Sequence, residues 1–436
     1  MDAQLGDDAA YHLAQLIRID TTNPPGDETP AAEYLAELFT QAGLEPELIG
    51  AEPRRKNVIV RLAGDGSKAP LLLAAHLDVV PHEPARWTHG AFSGEIHDGY
   101  LWGRGAIDMK QMAIMCALTL IRLKQEGARL TRDLIFAGVA DEEAGCDLGS
   151  RWLVDHHPEL VRAEYALGEA GGFTVRLGGA RLYPIGTAER GVVWMKMRMR
   201  GSPGHGSLPR PDNVVGRLGA AVSKLVSTRL PHHRTAIVER YLKQVAATQK
   251  PPARWLLKNL YVRRIADLVL AKLPDAGMRG AMQSMLSNTA VPTVLRAGAK
   301  TNVIPGEAEA ELDGRTLPNQ TSAALIAEIK KVVEDEIEIE ILRDLPPVEN
   351  DPDSPLCALL ADAIRRHDPG GVPVPYLMPG FTDAKSWSRL GTRSYGFMPV
   401  RFPDDGVKFG DLFHGHDERI PVDGLKWGVN VLYDVV

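Results

Sequence analysis

Three short apolar runs, each ending abruptly on residue types that bind metal ions, constrain this chain more than any other feature. Leu71-Leu72-Leu73-Ala74-Ala75 leads into His76-Leu77-Asp78; the run Asp133 to Ala140 leads into Asp141-Glu142-Glu143; and Tyr165-Ala166-Leu167-Gly168 leads into Glu169. Apolar runs of this length without alternation read as strands buried on both faces, the pattern of a parallel sheet covered by helices. In such sheets the ligand crevice lies just beyond the carboxyl ends of the strands. A single polar residue after a strand is unremarkable. Three runs that end in His, Asp and Glu predict one site at one sheet edge. Side chains alternate along extended chain, so His76 and Asp78 point the same way. Asp78 is then placed to accept a ring N–H from a metal-binding His76.

The rest of the chain supplies the helices such a sheet needs. Apolar spacing predicts helices over about 9–19, 29–42 and 109–125, and Asn23-Pro24-Pro25-Gly26 reads as a turn. Asn57 to Leu62 reads as a strand with Leu71 to Ala75 as its neighbour, and Asp98-Gly99 marks a tight hairpin between Glu95-Ile96 and Tyr100-Leu101-Trp102. Gly103-Arg104-Gly105 lacks the third glycine of a dinucleotide-binding loop, because Asp108 stands there; the glycines instead let the backbone pass closely while presenting Asp108. From about Gly191 the texture changes. An alternating strand over 192–199, a helix over 213–228, a helical region to about Leu286, strands near 294–298, 307–315 and 337–342, and a helix over 322–333 read as a separate α+β domain. Helices over 356–367 and 423–435 and a strand over 392–397 return to α/β texture. At 436 residues the chain is too long for one core. The expected organisation is a discontinuous α/β domain, 1–190 with 346–436, carrying 191–345 as an insertion.

A formal net charge of −6 argues against a nucleic-acid binder, which would need a basic face. No run of about 18 apolar residues is present, so no membrane span is expected. The segment 254–271 reads as a packed helix rather than a membrane-surface one. The opening Met1–Ala10 carries no secretory pattern, and Cys116, Cys146 and Cys357 are odd in number and widely spaced. Together these predict a reducing, cytoplasmic setting. No Gly-x-Ser-x-Gly elbow occurs, and no apolar strand leads into Ser207, which argues against a serine hydrolase.

The chemical candidates, in order, are His76, Asp108, Glu142, Glu143, Glu169 and the segment Phe413-His414-Gly415-His416-Asp417-Glu418. Two histidines and three carboxylates suffice to hold two zinc ions, with one carboxylate bridging and positions left open for water. A further carboxylate is needed to take the proton from that water, and Glu142 and Glu143 divide those duties. Strand alternation alone would let both His414 and His416 face the site.

The segments Ala75 to Pro81, Trp102 to Lys110, Asp141 to Gly145 and Leu167 to Glu169 resemble successive motifs of a known family. Gly201-Ser202-Pro203-Gly204-His205-Gly206-Ser207, Asn302-Val303-Ile304-Pro305 and Phe413-His414-Gly415 continue the match in order. The family is that of the di-zinc metallopeptidases: aminoacylase, carboxypeptidase G, carboxypeptidase S and succinyl-diaminopimelate desuccinylase. The resemblance implies a zinc-exopeptidase-like α/β domain with a mixed, largely parallel sheet, and an inserted α+β lid through which two copies form a homodimer. It implies one zinc on His76 and Glu169, another on Glu143 and His414, and Asp108 bridging them, with cobalt or manganese as alternatives. Glu142 is then the general base, Asp78 the partner of His76, and His205 an oxyanion donor that reaches a partner subunit's site. The peptide after the bridging aspartate is expected to be cis. Arg315 and Asn302 match lid positions that contact substrate, Arg315 having paired donors for a free carboxylate. Gly380 and Thr382 match a Gly-Gly-Thr-Asp loop in which Phe381 here replaces the second glycine. The implied reaction is hydrolysis of an amide next to a free-carboxylate amino acid, in an N-acyl amino acid or a short peptide. A dipeptidase and a biosynthetic desuccinylase or deacetylase would use the same site. A catalytically silent ligand-binding relative is the reading from another class, although every ligand type and Glu142 are present. Trp194, Trp255 and the segment Leu242 to Leu286, which resembles the carboxypeptidase S-like branch, favour an apolar acyl or peptide group.

Overall fold

A computed structural model describes residues 2–273, 276–333 and 336–436, apart from the side chains of residues 276 and 278. The chain separates into two compact units, one of residues 1–187, 350–376 and 382–436, the other of 188–349 and 377–381. The short segment 377–381, assigned to the α/β domain on sequence, thus clusters with the second unit.

In the first unit the strand Leu71–His76 is buried at every position and lies between Leu134–Val139 and Tyr165–Gly168, parallel to both. Its alternate residues serve two cores. Leu71, Leu73 and Ala75 pack under the helices Ala3–Ile17, Lys110–Gln125 and Val422–Val435. Leu72 and Ala74 face Leu153, Val154 and Trp387 on the other side. Both faces are dry, which is why the run shows no polar alternation.

One expected pairing differs. Asn57–Leu62 does not neighbour Leu71–His76; Leu134–Val139 lies between them, antiparallel to the former and parallel to the latter. The cause is the helix Lys110–Gln125, which carries the chain back across the sheet as parallel neighbours require and inserts the later strand. Beyond Tyr165–Gly168 the sheet continues through Arg393–Gly396, again parallel, to Ala180–Glu189. The Asp98-Gly99 hairpin forms as expected between Ile96–His97 and Tyr100–Trp102, with φ of 51° at Asp98 and 79° at Gly99, the pair of left-handed conformations a tight hairpin requires.

The second unit holds an antiparallel sheet ordered Thr289–Ala297, Glu307–Thr316, Gly191–Arg200, Glu338–Leu345. Val193, Met195, Met197 and Met199 alternate toward a core shared with Leu218 and Leu225 of one helix and Leu325 and Ile329 of another. On the intervening positions Arg198 pairs with Glu309 across strands at 2.8 Å. The helical region resolves into Ala236–Ala247, Ala253–Lys258, Arg263–Lys272 and Ala276–Leu286. Leu257, Ala266 and Leu270 are buried there, as in packed helices, whereas Trp255 is exposed. Among the described residues no helix is long and apolar enough to cross a membrane.

Candidate metal centre

Three adjacent parallel strands necessarily end at one edge, and the predicted donors stand there. His76 closes the central strand opposite Val139, and Leu73 pairs with Leu167, two residues before Glu169. The buried His76 Nε2 lies 3.1 Å from Asp108 Oδ1, while the other Asp108 oxygen lies 2.9 Å from His414 Nε2. His414 Nε2 is also 3.3 Å from Glu143 Oε2. Donor atoms of His76, Asp108 and Glu143 lie within 4.8 Å of one another, as do those of His76, Glu142 and Glu169. His414 therefore faces the cluster with a positive φ of 56°, and His416 belongs to neither donor group.

Asp108 is held from behind. Glu418 Oε1 accepts the backbone N–H of Ile107 at 2.8 Å and of Asp108 at 3.2 Å, and its other oxygen pairs with the buried Arg104 at 2.7 Å. Gly105, at φ 88°, lets this turn pass where a Cβ would meet both Val79 and Lys110 at 3.0 Å. The Asp108–Met109 peptide bond is cis, as expected.

Asp78 meets His76 through both its backbone carbonyl and its carboxylate. The closest partner of His76 Nδ1 is the backbone carbonyl of Asp78 at 3.0 Å, with the carboxylate farther off at 3.4 Å. That carboxylate is taken up by the next strand end. Oδ1 accepts the backbone N–H of Glu142 and Oδ2 that of Glu143, each at 3.1 Å, and Asn23 Nδ2 donates to Oδ2 at 2.8 Å. Behind them Arg55 bridges Glu28 and Asp141, each at 2.8 Å from Nη2. Asp141 and Glu418 fall in segments that the sequence singled out, without a role of their own, whereas Asn23, Glu28 and Arg55 were not predicted as site residues. The only sequence signal of these three is a charged or amide residue beside a turn or buried run, which is too common to single them out.

The donor set fits two cations. Donors on one tetrahedral zinc, with bonds near 2.0–2.1 Å, sit about 3.3 Å apart, the spacing seen among these groups. Asp108 Oδ2 and Glu143 Oε1 are buried without a hydrogen bond, even though His414 Nε2 lies 2.9 Å from the former. The contact is close but misaligned for a hydrogen bond, as expected of two donors that face a common ion. Burial, then the neighbouring Glu169, pushes the Glu142 pKa well up; burial, then Asp108, does the same to Glu169 and raises Glu143. Burial also lifts Asp383 to about 6. At His414 burial opposes the charged ring, but Asp108 and Glu143 outweigh it and push its pKa up to about 10. Carboxylates crowded in a dry pocket are costly unless cations neutralise them.

The remaining candidates divide between the units. Thr382 is buried in the first, where its hydroxyl accepts the N–H of Ala384 at 3.1 Å. His205, Asn302, Arg315 and Gly380 belong to the second. His205 pairs with Val303 in a short exposed ladder, its Nδ1 2.7 Å from Ser207 Oγ, and the Asn302 carbonyl accepts from Gly206 N at 2.8 Å. Arg315 gives two bonds to Asp313, at 2.6 and 3.0 Å, and stacks 5.9 Å from the Phe381 ring. Its Nη1 is buried without a partner. Phe381, the departure from the glycine-rich loop pattern, thus supplies an aromatic face to this guanidinium.

The sequence profile of peptidase family M20/M25/M40 matches residues 72–436. Over 387 residues the chain is 28% identical to a probable carboxypeptidase S-like 2 of Dictyostelium discoideum, covering 85% of this chain and 72% of that one. Over 411 residues it is 28% identical to the N-fatty-acyl-amino acid synthase/hydrolase PM20D1 of Xenopus tropicalis, covering 90% and 77%. Among solved structures, an M20 family metallo-carboxypeptidase from Sulfolobus solfataricus superposes with a TM-score of 0.71 at 18% identity, covering 100% of this chain and 98% of that one.

Proposed function

This chain belongs to peptidase family M20/M25/M40 and is a metal-dependent amidohydrolase, and from that premise we propose that it cleaves the amide of an N-acyl amino acid or short peptide with a free carboxylate. The observation that carries the reading is Asp108, whose two oxygens face His76 and His414 while Glu142 stands with His76 and Glu169. In the proposed arrangement His76 and Glu169 would hold one zinc, Glu143 and His414 the other, and Asp108 would be shared between them. The cations, when bound, supply Lewis-acid chemistry that brings the pKa of water toward neutrality and polarises a carbonyl. Glu142, raised by burial, accepts the proton of the attacking water and delivers it to the leaving nitrogen. Asp78 fixes the backbone of both glutamates. His205 of the second unit, reaching a partner subunit's site across the proposed homodimer, donates to the oxyanion there. Arg315, whose Nη1 is unpaired, is proposed to bind the substrate carboxylate, and Asn302, Gly380 and Thr382 are proposed as further substrate contacts.

Trp194 and Trp255 on the chain, and fatty-acyl amino acids in the name of one relative, favour an apolar acyl group. A cytoplasmic location and a homodimer through the second unit complete the proposal. The test is a hydrolysis screen across N-acyl amino acids with graded acyl chains and across dipeptides, with and without chelator. Chelator-sensitive release of an amino acid, fastest with long acyl chains, is expected; preference for dipeptides would replace the acylase reading by a dipeptidase one. Light scattering of the purified protein checks the dimer.

A further inference from the structure

We propose that His89, Glu95 and His97 form an additional cation site for a divalent transition metal, outside the centre at the sheet edge. The inference goes beyond the amidase reading and does not rest on it.

The three residues occupy one stretch of nine, and the hairpin fixes two of them. Asp98 and Gly99 close the turn, His97 pairs with Tyr100, and Glu95 accepts the Trp102 backbone N–H through its carbonyl at 2.9 Å. The Glu95 carboxylate lies 2.9 Å from His97 Nε2. The rings of His89 and His97 lie parallel, 3.8 Å between centroids and 5° between planes, with the edge of Trp102 against His89 at 4.5 Å. One donor atom from each of the three lies within 4.8 Å of the others. An ion lies in the plane of each imidazole that binds it, so ligation of one cation requires the two rings to turn out of this stack until their planes meet, and neither ring is fully buried. Two imidazoles and a carboxylate are a zinc-type donor set that leaves a fourth position for water. The side chains are partly exposed, so they can close from this spacing to the roughly 3.3 Å between donors on one ion. Arg18, which donates to the Ser93 carbonyl at 3.0 Å, and Arg419, 4.5 Å over the Trp102 ring, keep their positive charges, so the Glu95 carboxylate is the group that must offset them at this site.

Occupation would brace a specific loop. Thr88 is tied to Asp417 through its backbone N–H at 2.6 Å and its hydroxyl at 2.7 Å, and Asp417 precedes the Glu418 that holds Asp108. A cation on His89 and His97 joins the loop beside this tether to the hairpin and so closes it at both ends.

The test begins with zinc-loaded, dialysed protein, titrated with further Zn²⁺ by calorimetry, with metal content read by plasma mass spectrometry. Expected is one equivalent in the native chain that His89→Ala and His97→Ala both lose and that Glu95→Gln binds about tenfold more weakly. Turnover in these variants should be unchanged at saturating zinc. Glu143→Ala, depleted at the sheet edge, should retain this equivalent. Absence of the equivalent in the native chain, or its retention in both histidine variants, overturns the proposal. Activity is measured separately, so either result leaves the amidase reading standing, while an inactive chain that keeps the equivalent fails that reading alone.

Discussion

Glu142 and Glu143 are adjacent in sequence yet proposed for different work, and the backbone separates them. Asp78 takes one amide with each of its oxygens, fixing the turn from which the two side chains diverge. Glu142→Gln keeps shape and burial but cannot accept a proton. We expect metal content to hold while kcat falls by about 10²–10⁴-fold. Glu143→Ala should instead lose metal, read by mass spectrometry on the purified variant. Asp78→Asn offers one acceptor where two amides need one each, so metal affinity should fall by about 10–100-fold with the fold intact, measured by chelator competition. At this scale the sequence was informative where residue type and position coincide: His76, Asp108 and Glu169 each follow a recognisable run or turn. It was silent on Arg55 and Glu28, and on their link to Asp141, because these contacts span 27 and 86 positions and only the folded chain brings them together.

Among the elements, the strand Leu71–His76 carries most of the positional burden, since its alternate residues fill two separate cores and its last residue enters the site. Leu72→Ala opens a cavity on the face packed by Leu153 and Trp387 and should cost about 2–5 kcal/mol, measured by urea unfolding with metal held constant. If the loss is under about 0.5 kcal/mol, the site's position does not depend on that packing as argued. The continuous apolar run announced this strand, as left-handed turn residues announced the hairpin. Its neighbours were less legible. Local pattern reveals a strand's burial, but the order across a sheet follows from where a crossover helix returns the chain.

For the whole molecule, charge makes stability conditional on ligands and on pH. Removing the cations leaves Glu142, Glu143 and Glu169 buried near one another, so chelation should lower the melting temperature and zinc should restore it, read by calorimetry. Away from the site, Asp368 accepts from Tyr183 at 2.7 Å and pairs with Arg181. Burial works against its charge, yet these partners outweigh it and hold its pKa below the ordinary value. The folded state therefore binds this proton less readily than the unfolded one. The stabilisation is complete above the ordinary Asp value of about 3.9 and is lost as pH falls through the lower folded value. Asp368→Asn should lower the urea midpoint at pH 6, and the gap from the native chain should narrow on acidification below about pH 4.

The lock on Asp108 has a temporal side. Glu418 lies 311 positions beyond the Ile107 amide it accepts, so all of that intervening chain must be made before the clasp can shut. His414, in the same late segment, arrives with it, so a chain cut short of this stretch has neither that histidine nor the clasp.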